Sequence, residues 1–356
     1  MRIGSKKLTI SLVGALALVA YACGEERDDP GANVKKDGGI YIPDAGSTGT
    51  DAGDNTEEDA GNLAPDAGNK EPDAGNTGSD AGYAPVTETT VPEMNRQEIE
   101  PGKVTFKAVV VSPRMRISKK TNASNPADNY CLYGTFVADA TAPAENNGVM
   151  LTSKSTVTDG NCNPDSQLHG PRDNDIEIGE ELQIRGFYQE YCYREGASCV
   201  DKDSNGKEIA FPQVNVNMSG DVVRTGNKPG VPAALPVEVA IDEVNSAGSE
   251  SPFTLGSKWW QYRAVLVKVT NVDAGGNPDT EGDFCEWTVS PAGHTRPTLR
   301  VDDAMLFGGT ECPHRPAAGT NLSSLAGLLY WTYGNSKLLP RFVTDATPPL
   351  PQPEQE

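Results

Sequence analysis

Cysteine is the residue type with the clearest chemistry in this sequence. Six of the seven cysteines lie well inside the chain, at Cys131, Cys162, Cys192, Cys199, Cys285 and Cys312. An even number of cysteines suits an oxidising compartment and predicts three disulfide bonds. The seventh, Cys23, is then left over, and a free thiol near the start of the chain would be open to oxidation. Cys23 therefore needs a separate role.

The segment before Cys23 has the composition of an export signal. Three basic residues precede an apolar run over residues 8–19, and Ala20-Tyr21-Ala22 supplies small residues at the positions that a signal peptidase reads. The run is shorter than the roughly 20 residues that span a bilayer, so residues 1–22 are predicted to be a cleaved signal peptide. A cysteine in this place resembles the lipobox of bacterial lipoproteins, which implies that Cys23 is acylated. The alternative is ordinary secretory cleavage after Ala22.

The remaining reactive residues do not form a known catalytic motif. His169, His294 and His314 lack a metal-ligand spacing, and the sequence has no nucleophile elbow, phosphate-binding loop or Cys/His pair. We therefore predict no enzymatic activity, no metal and no cofactor. The run Asp201-Lys-Asp-Ser-Asn-Gly206 begins like a calcium loop, but Pro212 stands at its twelfth position, where a bidentate Glu is required. A turn is the favoured interpretation.

Two groups of residues are candidates for ligand binding. Four bases within seven residues follow the first predicted strand and are expected to form one contact surface: Arg114, Arg116, Lys119 and Lys120. The alternative is a solvated loop without a ligand. Aromatic side chains that could stack on bases or sugar rings form the second group: Trp259, Trp260 and Trp331. The alternative for these is that they fill a small β core.

A long acidic segment precedes the elements that position these residues. Residues 24–100 carry 19 acidic and 5 basic side chains, so −14 of the total net charge of −20 lies there. The tripeptide Asp-Ala-Gly recurs at Asp44, Asp51, Asp59, Asp66, Asp73 and Asp80, with almost no large apolar residue between the copies. Such a sequence cannot form a core, so residues 23–85 are predicted to be a disordered low-complexity tether. The acidic charge also disfavours nucleic acid as a partner.

Short β-rich runs begin after residue 86. Five lie in a first segment, at residues 104–112, 131–137, 149–152, 181–188 and 213–217. Five more lie in a second segment, at residues 262–272, 284–290, 298–301, 325–333 and 337–343. Five short strands in each segment, separated by Gly, Pro, Asn and Asp, predict two small all-β barrels or sandwiches.

The two segments repeat one pattern. In each, a first strand (from Lys107 or from Arg263) is followed by an aromatic residue and a cysteine, another strand, and a loop that ends in a second cysteine. This equivalence predicts the bridges Cys131–Cys162 and Cys285–Cys312 among the pairings that parity allows. Cys192 and Cys199 then close a local loop.

Two runs also resemble a known family. Residues 177–191 resemble a central strand of OB-fold-like modules in secreted bacterial proteins. Residues 299–303 together with 327–341 are similar to the OB-like domain that accompanies extracellular nucleases and related surface lipoproteins. The resemblance implies two small OB-like β-barrel domains after the tether, at residues 86–228 and 237–347, with a linker at 229–236 and a Pro-rich tail at 348–356. A catalytic nuclease domain has no counterpart here, so nuclease activity is not implied.

Together these features predict a lipid-anchored envelope protein that acts as a non-catalytic binding or scaffolding module. Its partners would be the membrane, through the lipid, and an unknown envelope or extracellular molecule. Gly24, which is not the Asp that retains lipoproteins in the inner membrane, favours the outer membrane, facing the periplasm or the cell surface. One alternative is an accessory or nucleic-acid-binding subunit of a secreted nuclease or other hydrolase. Another is a structural envelope protein without a soluble ligand.

Overall fold

The computed structural model describes residues 86–121, 129–158, 161–162, 168, 176–192, 194–195, 198–218, 220–245, 254–278, 284–306, 312–332 and 334–352. The predicted signal peptide, Cys23 and the acidic tether lie outside these residues, as does His169. In the described part of the chain, no helix is both long enough and apolar enough to cross a membrane.

The first segment is built from short strands and one helix, α1 (Val91–Asn95). Its strands are β1 (Thr87–Glu88), β2 (Gly102–Val110), β3 (Met115–Lys120), β4 (Tyr130–Ala138), β5 (Val149–Thr158), β6 (Asn161–Cys162), β7 (Glu181–Tyr191), β8 (Arg194–Glu195), β9 (Ser198–Cys199), β10 (Phe211–Asn215) and β11 (Val222–Arg224).

The second segment contains two helices, α2 (Ile241–Val244) and α3 (Trp259–Tyr262), and a 3₁₀ turn at Val343–Asp345. Its strands are β12 (Val237–Glu238), β13 (Leu266–Ala274), β14 (Glu286–Pro291), β15 (Leu299–Asp302), β16 (Asn321–Thr332), β17 (Asn335–Leu339) and β18 (Ala346–Thr347). The predicted first strand of this segment began at Tyr262, which instead ends α3.

Each segment closes a five-stranded barrel with the same strand order. In barrel 1 the order is β2-β4-β5-β10-β7, and β7 pairs back with β2. In barrel 2 it is β13-β14-β15-β17-β16, and β16 pairs back with β13. Counted along the chain, the third and fifth strands of each barrel pair in parallel: β5 with β10 and β15 with β17. The other neighbouring strands pair antiparallel. This is the Greek-key barrel of the OB fold, so the predicted fold class is confirmed.

The same lead-in precedes both barrels. A two-residue strand pairs in parallel with the first barrel strand, so that Thr87 lies opposite Val104 and Val237 lies opposite Val267. The sequences match as well, TETTVPEMN over residues 87–95 and VEVAIDEVN over residues 237–245. In each short helix the Glu at the third position accepts a hydrogen bond from the backbone N–H of the N-cap residue. The internal repeat is therefore longer than the sequence analysis found.

This pairing also corrects the alignment of the two first strands. Because Val104 and Val267 occupy equivalent positions, Lys107 corresponds to Thr270 and not to Arg263. The glycines of the fourth strands agree, since Gly186 lies opposite Val104 and Gly327 lies opposite Val267.

The three disulfides join the predicted pairs. Cys131 on β4 bonds to Cys162 on β6, and Cys285, directly before β14, bonds to Cys312 in the connection to β16. The third bridge, Cys192–Cys199, closes part of the connection between β7 and β10. The internal repeat was thus sufficient to select one pairing.

The barrels share a hydrophobic core. The interior of barrel 1 forms its own cluster, but the interior of barrel 2 is continuous with buried side chains on the outside of barrel 1, among them Val111, Met115, Phe136, Met150 and Phe211. Tyr330 of barrel 2 contacts the rings of Phe136 and Phe211 edge-on, with centroid distances of 6.2 and 5.1 Å. The two barrels therefore pack as one unit.

Candidate binding surface

The predicted basic loop is a strand. Arg116, Lys119 and Lys120 lie on β3, and Arg114 directly precedes it. β3 continues the path of β2 along the same edge of β4, with a bulge between Arg116 and Ser118. An edge strand therefore carries three of the four bases that the sequence singled out, and the fourth directly precedes it.

The strand register distributes these bases over two faces of the sheet. Residues directly opposite each other in an antiparallel pair share a face, and neighbours along a strand alternate. Arg116 lies opposite Tyr133 and Lys119 opposite Cys131, whereas Lys120 lies opposite Tyr130. Arg116 and Lys119 consequently share one face and Lys120 lies on the other, so these bases do not form the single contact surface that was expected.

Tyrosine rings accompany the bases on both faces. The guanidinium carbon of Arg114 lies 4.5 Å from the ring centroid of Tyr133. On the other face, the ammonium groups of Lys120 and Lys154 lie 6.0 and 4.7 Å from the ring centroid of Tyr130. Burial raises the pKa of the Tyr130 hydroxyl. Lys154 was not predicted to lie here, because the predicted strand ended at Thr152, whereas β5 extends to Thr158.

The strands β3, β4 and β5, which we call the basic sheet, contain no Asp or Glu. They carry four bases, Arg116, Lys119, Lys120 and Lys154, in a chain with 50 acidic and 30 basic side chains. β4 and β5 are the second and third strands of the barrel, and β3 belongs to the connection between strands one and two. These elements form the usual ligand-contacting part of an OB fold.

Barrel 2 covers one end of the outer face of the basic sheet. Phe136 near the end of β4 and Met150 near the start of β5 are buried in the shared core. Tyr130 at the other end of β4 is only half-buried, and the neighbouring Lys120 on β3 is exposed. The accessible part of the sheet is therefore the end formed by β3 and the adjoining residues of β4 and β5.

The connection between β7 and β10 contacts barrel 2 as well. Oδ2 of Asp201 accepts a hydrogen bond of 2.8 Å from Nε1 of Trp331, and the Lys207 ammonium lies 3.6 Å from the ring centroid of Trp260. Burial raises the pKa of Asp201, and desolvation lowers the pKa of Lys207. In many OB folds this connection contacts the ligand. Here its partner is the second barrel.

The calcium-like run within this connection forms a turn. Oδ1 of Asp203 accepts 2.9 Å hydrogen bonds from the backbone N–H groups of Asn205 and Lys207, and Asp201 is engaged by Trp331. The side chains that would have to coordinate an ion are thus used for local and inter-barrel contacts. Across the described residues, no group of three or more His, Cys, Asp or Glu side chains is arranged to hold a metal.

The three candidate tryptophans lie together at the contact between the barrels. The ring centroid of Trp259 lies 5.0 Å from the ring centroid of Trp260 and 5.6 Å from the ring centroid of Trp331. Trp259 and Trp331 are buried, whereas Trp260 is half-buried beneath Lys207 and Arg263. Their burial agrees with the core interpretation, and they do not join the basic sheet.

A buried arginine completes the inter-barrel contact, and sequence analysis did not identify it. Arg263 is 1 % exposed, and its guanidinium donates to Glu190 Oε2 at 2.9 Å and to the carbonyl oxygens of Ala210 and Asn95. Asn95, the last residue of α1, donates in return to the carbonyl oxygen of Arg263 at 2.8 Å. Asn95 is the last residue of the repeated lead-in, and the repetition of that lead-in was the available sequence signal for this contact.

On the corresponding strands of barrel 2, the cations form ion pairs with acidic side chains. Lys337 on β17 donates to Glu286 and lies 3.4 Å from Asp302, while Arg300 donates to Glu286 at 2.9 Å. Lys337 is only 3 % exposed. Two acids and two bases thus pair on the second, third and fifth strands. In barrel 1, by contrast, the second and third strands carry one base, Lys154, and no acidic residue.

Comparison with known proteins adds little to this picture. No family profile matches the chain, and no curated protein matches it. Among solved structures it is similar to a deletion mutant of the single-stranded DNA binding protein from Thermus aquaticus, at 10% identity, over 72% of this chain and 95% of that chain, with a TM-score of 0.18. The description of both barrels as OB folds therefore rests on their strand pairing.

Proposed function

We propose that this protein is a lipid-anchored, non-catalytic binding module of a bacterial envelope, and that the basic sheet of barrel 1 is its contact surface. The observation that carries the proposal is the absence of acidic residues from three adjacent strands that bear four bases, within a chain of net charge −20. Bases on such strands attract an anionic partner and steer its approach.

The pairing of the other six cysteines supports the anchor. All six are joined in disulfides within the barrels, so Cys23 has no intramolecular partner left. Acylation after signal cleavage gives this thiol a role and places the barrels at the outer membrane. Labelling cells with a radioactive fatty acid tests the anchor: the wild type should incorporate label and Cys23→Ser should not. Equal incorporation in both would refute it.

Binding is tested with the immobilised full chain and fractions of envelope and culture fluid. The variant Arg114→Ser/Arg116→Ser/Lys119→Ser/Lys120→Ser removes four bases at the sheet. An exposed ion pair contributes roughly 0.2–1 kcal/mol, so losing four should weaken retention of the partner by about fourfold to several hundredfold. The control Lys202→Ser/Lys228→Ser/Lys268→Ser/Arg296→Ser removes the same charge elsewhere and should retain the partner normally. If both variants bind as well as the wild type, the basic sheet is not the contact surface.

The second candidate is a nucleic-acid-binding accessory subunit of a secreted nuclease or other hydrolase. The pairing of lysines with Tyr130 favours it, because proteins that bind single strands combine bases with aromatic rings. Fluorescence anisotropy with a labelled single-stranded oligonucleotide distinguishes the two. Tight binding that falls in the sheet variant supports the accessory role, and its absence leaves a partner of another class.

A further inference from the structure

We propose that the Cys192–Cys199 disulfide couples the contacts between barrel 2 and the connection from β7 to β10, so that these contacts break and re-form together. Cys192 follows Glu190 by two residues, and Cys199 precedes Asp201 by two residues. Glu190 and Asp201 lie eleven residues apart in the chain, and both contact barrel 2. The bridge holds the two segments that carry them together, with a Cα–Cα distance of 5.6 Å. The proposal does not depend on the basic sheet.

The partners of these two acidic residues in barrel 2 are held together as well. The guanidinium of Arg263 donates to Glu190 at 2.9 Å, and the indole N–H of Trp331 donates to Asp201 at 2.8 Å. The residue after Arg263 donates its backbone N–H to the carbonyl oxygen two residues before Trp331, at 2.8 Å. Each side of the interface therefore presents its two groups from chain segments that are joined to each other.

The bridge also packs on a third contact. Cys192 and Cys199 are each 6 % exposed and form a small apolar cluster with Ala210. The carbonyl oxygen of Ala210 accepts a hydrogen bond from Arg263. Cys131, by comparison, belongs to the hydrophobic cluster in the interior of barrel 1. The Cys192–Cys199 bridge thus lies beside the contact between the barrels.

The covalent link determines how these contacts open. Local opening frees the chain segments that make a contact. A disulfide limits the conformations of the open state, and a group tethered near its partner rebinds at a high effective concentration. With the bridge in place, a broken hydrogen bond between Asp201 and Trp331 therefore re-forms as long as Glu190 still holds Arg263. Without the bridge, each contact opens independently of the other.

Hydrogen exchange of the Trp331 indole N–H in the full chain, followed by NMR, tests this coupling. Removing the bridge with Cys192→Ser/Cys199→Ser should make this exchange at least about tenfold faster. Backbone amides inside the two barrels, such as those of Ile184 and Val269, should change by less than about threefold. A similar acceleration at these amides would overturn the proposal, because the bridge would then stabilise the whole fold and not the contact.

A second substitution distinguishes coupling from local support. Glu190→Gln removes the charge of the first contact but keeps an acceptor, and with the bridge present it should accelerate exchange at Trp331 at least about threefold. In the Cys192→Ser/Cys199→Ser background it should have no further effect, as expected for independent contacts. The control Glu177→Gln, at an exposed ion pair, should leave Trp331 exchange unchanged in both backgrounds. An equal acceleration by Glu190→Gln with and without the bridge would show that the bridge does not couple the contacts.

Discussion

Trp331 donates a hydrogen bond of 2.8 Å from its indole nitrogen to Oδ2 of Asp201, which lies 130 residues earlier in the other barrel. Both side chains are buried. Asp201 belongs to the connection between the fourth and fifth strands of barrel 1, which in many OB folds contacts the ligand. Barrel 2 thus occupies this connection and one end of the outer face of the basic sheet, and the open end of that sheet is the contact surface that we propose.

We expect Asp201→Ala to destabilise the protein and Asp201→Asn to preserve the contact. Alanine leaves the buried indole N–H without an acceptor, which should lower the free energy of unfolding by about 1–3 kcal/mol. Asparagine keeps an acceptor oxygen without the charge. Urea unfolding at neutral pH measures both. An alanine variant as stable as the wild type would show that this hydrogen bond does not fasten the barrels.

The same residue should contribute to the pH dependence of stability. Burial raises the pKa of the Asp201 carboxyl in the folded protein, so the folded state binds this proton more tightly than the unfolded state. Its contribution to stability is complete below the unfolded pKa of about 3.9 and is lost as pH rises through the folded pKa. Subtracting the Asp201→Asn profile from the wild-type profile should reveal this decline. A difference that rises with pH would contradict it.

Arg263 should be more important to stability than its single charge suggests. Arg263→Met leaves Glu190 partly buried without its cation and removes the donors to the carbonyl oxygens of Ala210 and Asn95. Breaking a buried pair in this way typically costs about 3–5 kcal/mol. Arg296→Met, at an exposed position, should change stability by no more than about 0.5 kcal/mol. Similar unfolding midpoints for the two variants would contradict the inter-barrel role of Arg263.

The buried charges of barrel 2 should behave non-additively. Lys337→Met removes the cation beside Glu286 and Asp302, while Arg300 still donates to Glu286, and should cost about 3–5 kcal/mol. Adding Glu286→Met removes the uncompensated acid, and the double variant should recover much of that loss, since apolar replacement of a buried pair is often close to neutral. A double-mutant cycle by urea unfolding measures the coupling. Simple additivity would mean that the two charges do not interact.

Gly327 should not tolerate a side chain. A Cβ there would lie 2.7 Å from the backbone of Leu339 on the neighbouring strand, and the equivalent Gly186 faces the carbonyl oxygen of Asn215 in the same way. We expect Gly327→Ala to destabilise the protein by about 1–3 kcal/mol through overpacking. Gly276 has open space around its Cβ position, so Gly276→Ala is the control. Thermal unfolding compares them, and equal midpoints would contradict the close approach of these strands.

The sequence was informative wherever local patterns determine structure. Ten of the barrel strands follow runs of β-forming residues, and the repeated aromatic-cysteine pairs were enough to select the three disulfides. The prediction was wrong at β3, where a loop was expected because Pro113 and the four nearby bases are typical of a loop. There the existing edge of β4 determines the strand, and that edge is a tertiary feature.

The contact between the barrels could not be predicted. Arg263 and Asn95 are 168 residues apart, and an arginine beside a β-rich run normally lies in solvent. Trp331 alternates along its strand as a core residue would, but nothing local indicates that its partner is Asp201. Only the matching lead-ins gave a sequence signal near this contact, since Asn95 ends one of them and Asn245 ends the other.

Lysine footprinting of the partner-bound protein locates the contact surface without changing a residue. The full chain is treated with a lysine-modifying reagent before and after it binds the envelope or culture-fluid fraction that it retains, and each site is quantified by mass spectrometry. We expect Lys119, Lys120 and Lys154 to become protected while Lys202, Lys228 and Lys268 react as before. Protection of the second group, with the three lysines of the basic sheet still reactive, would contradict it.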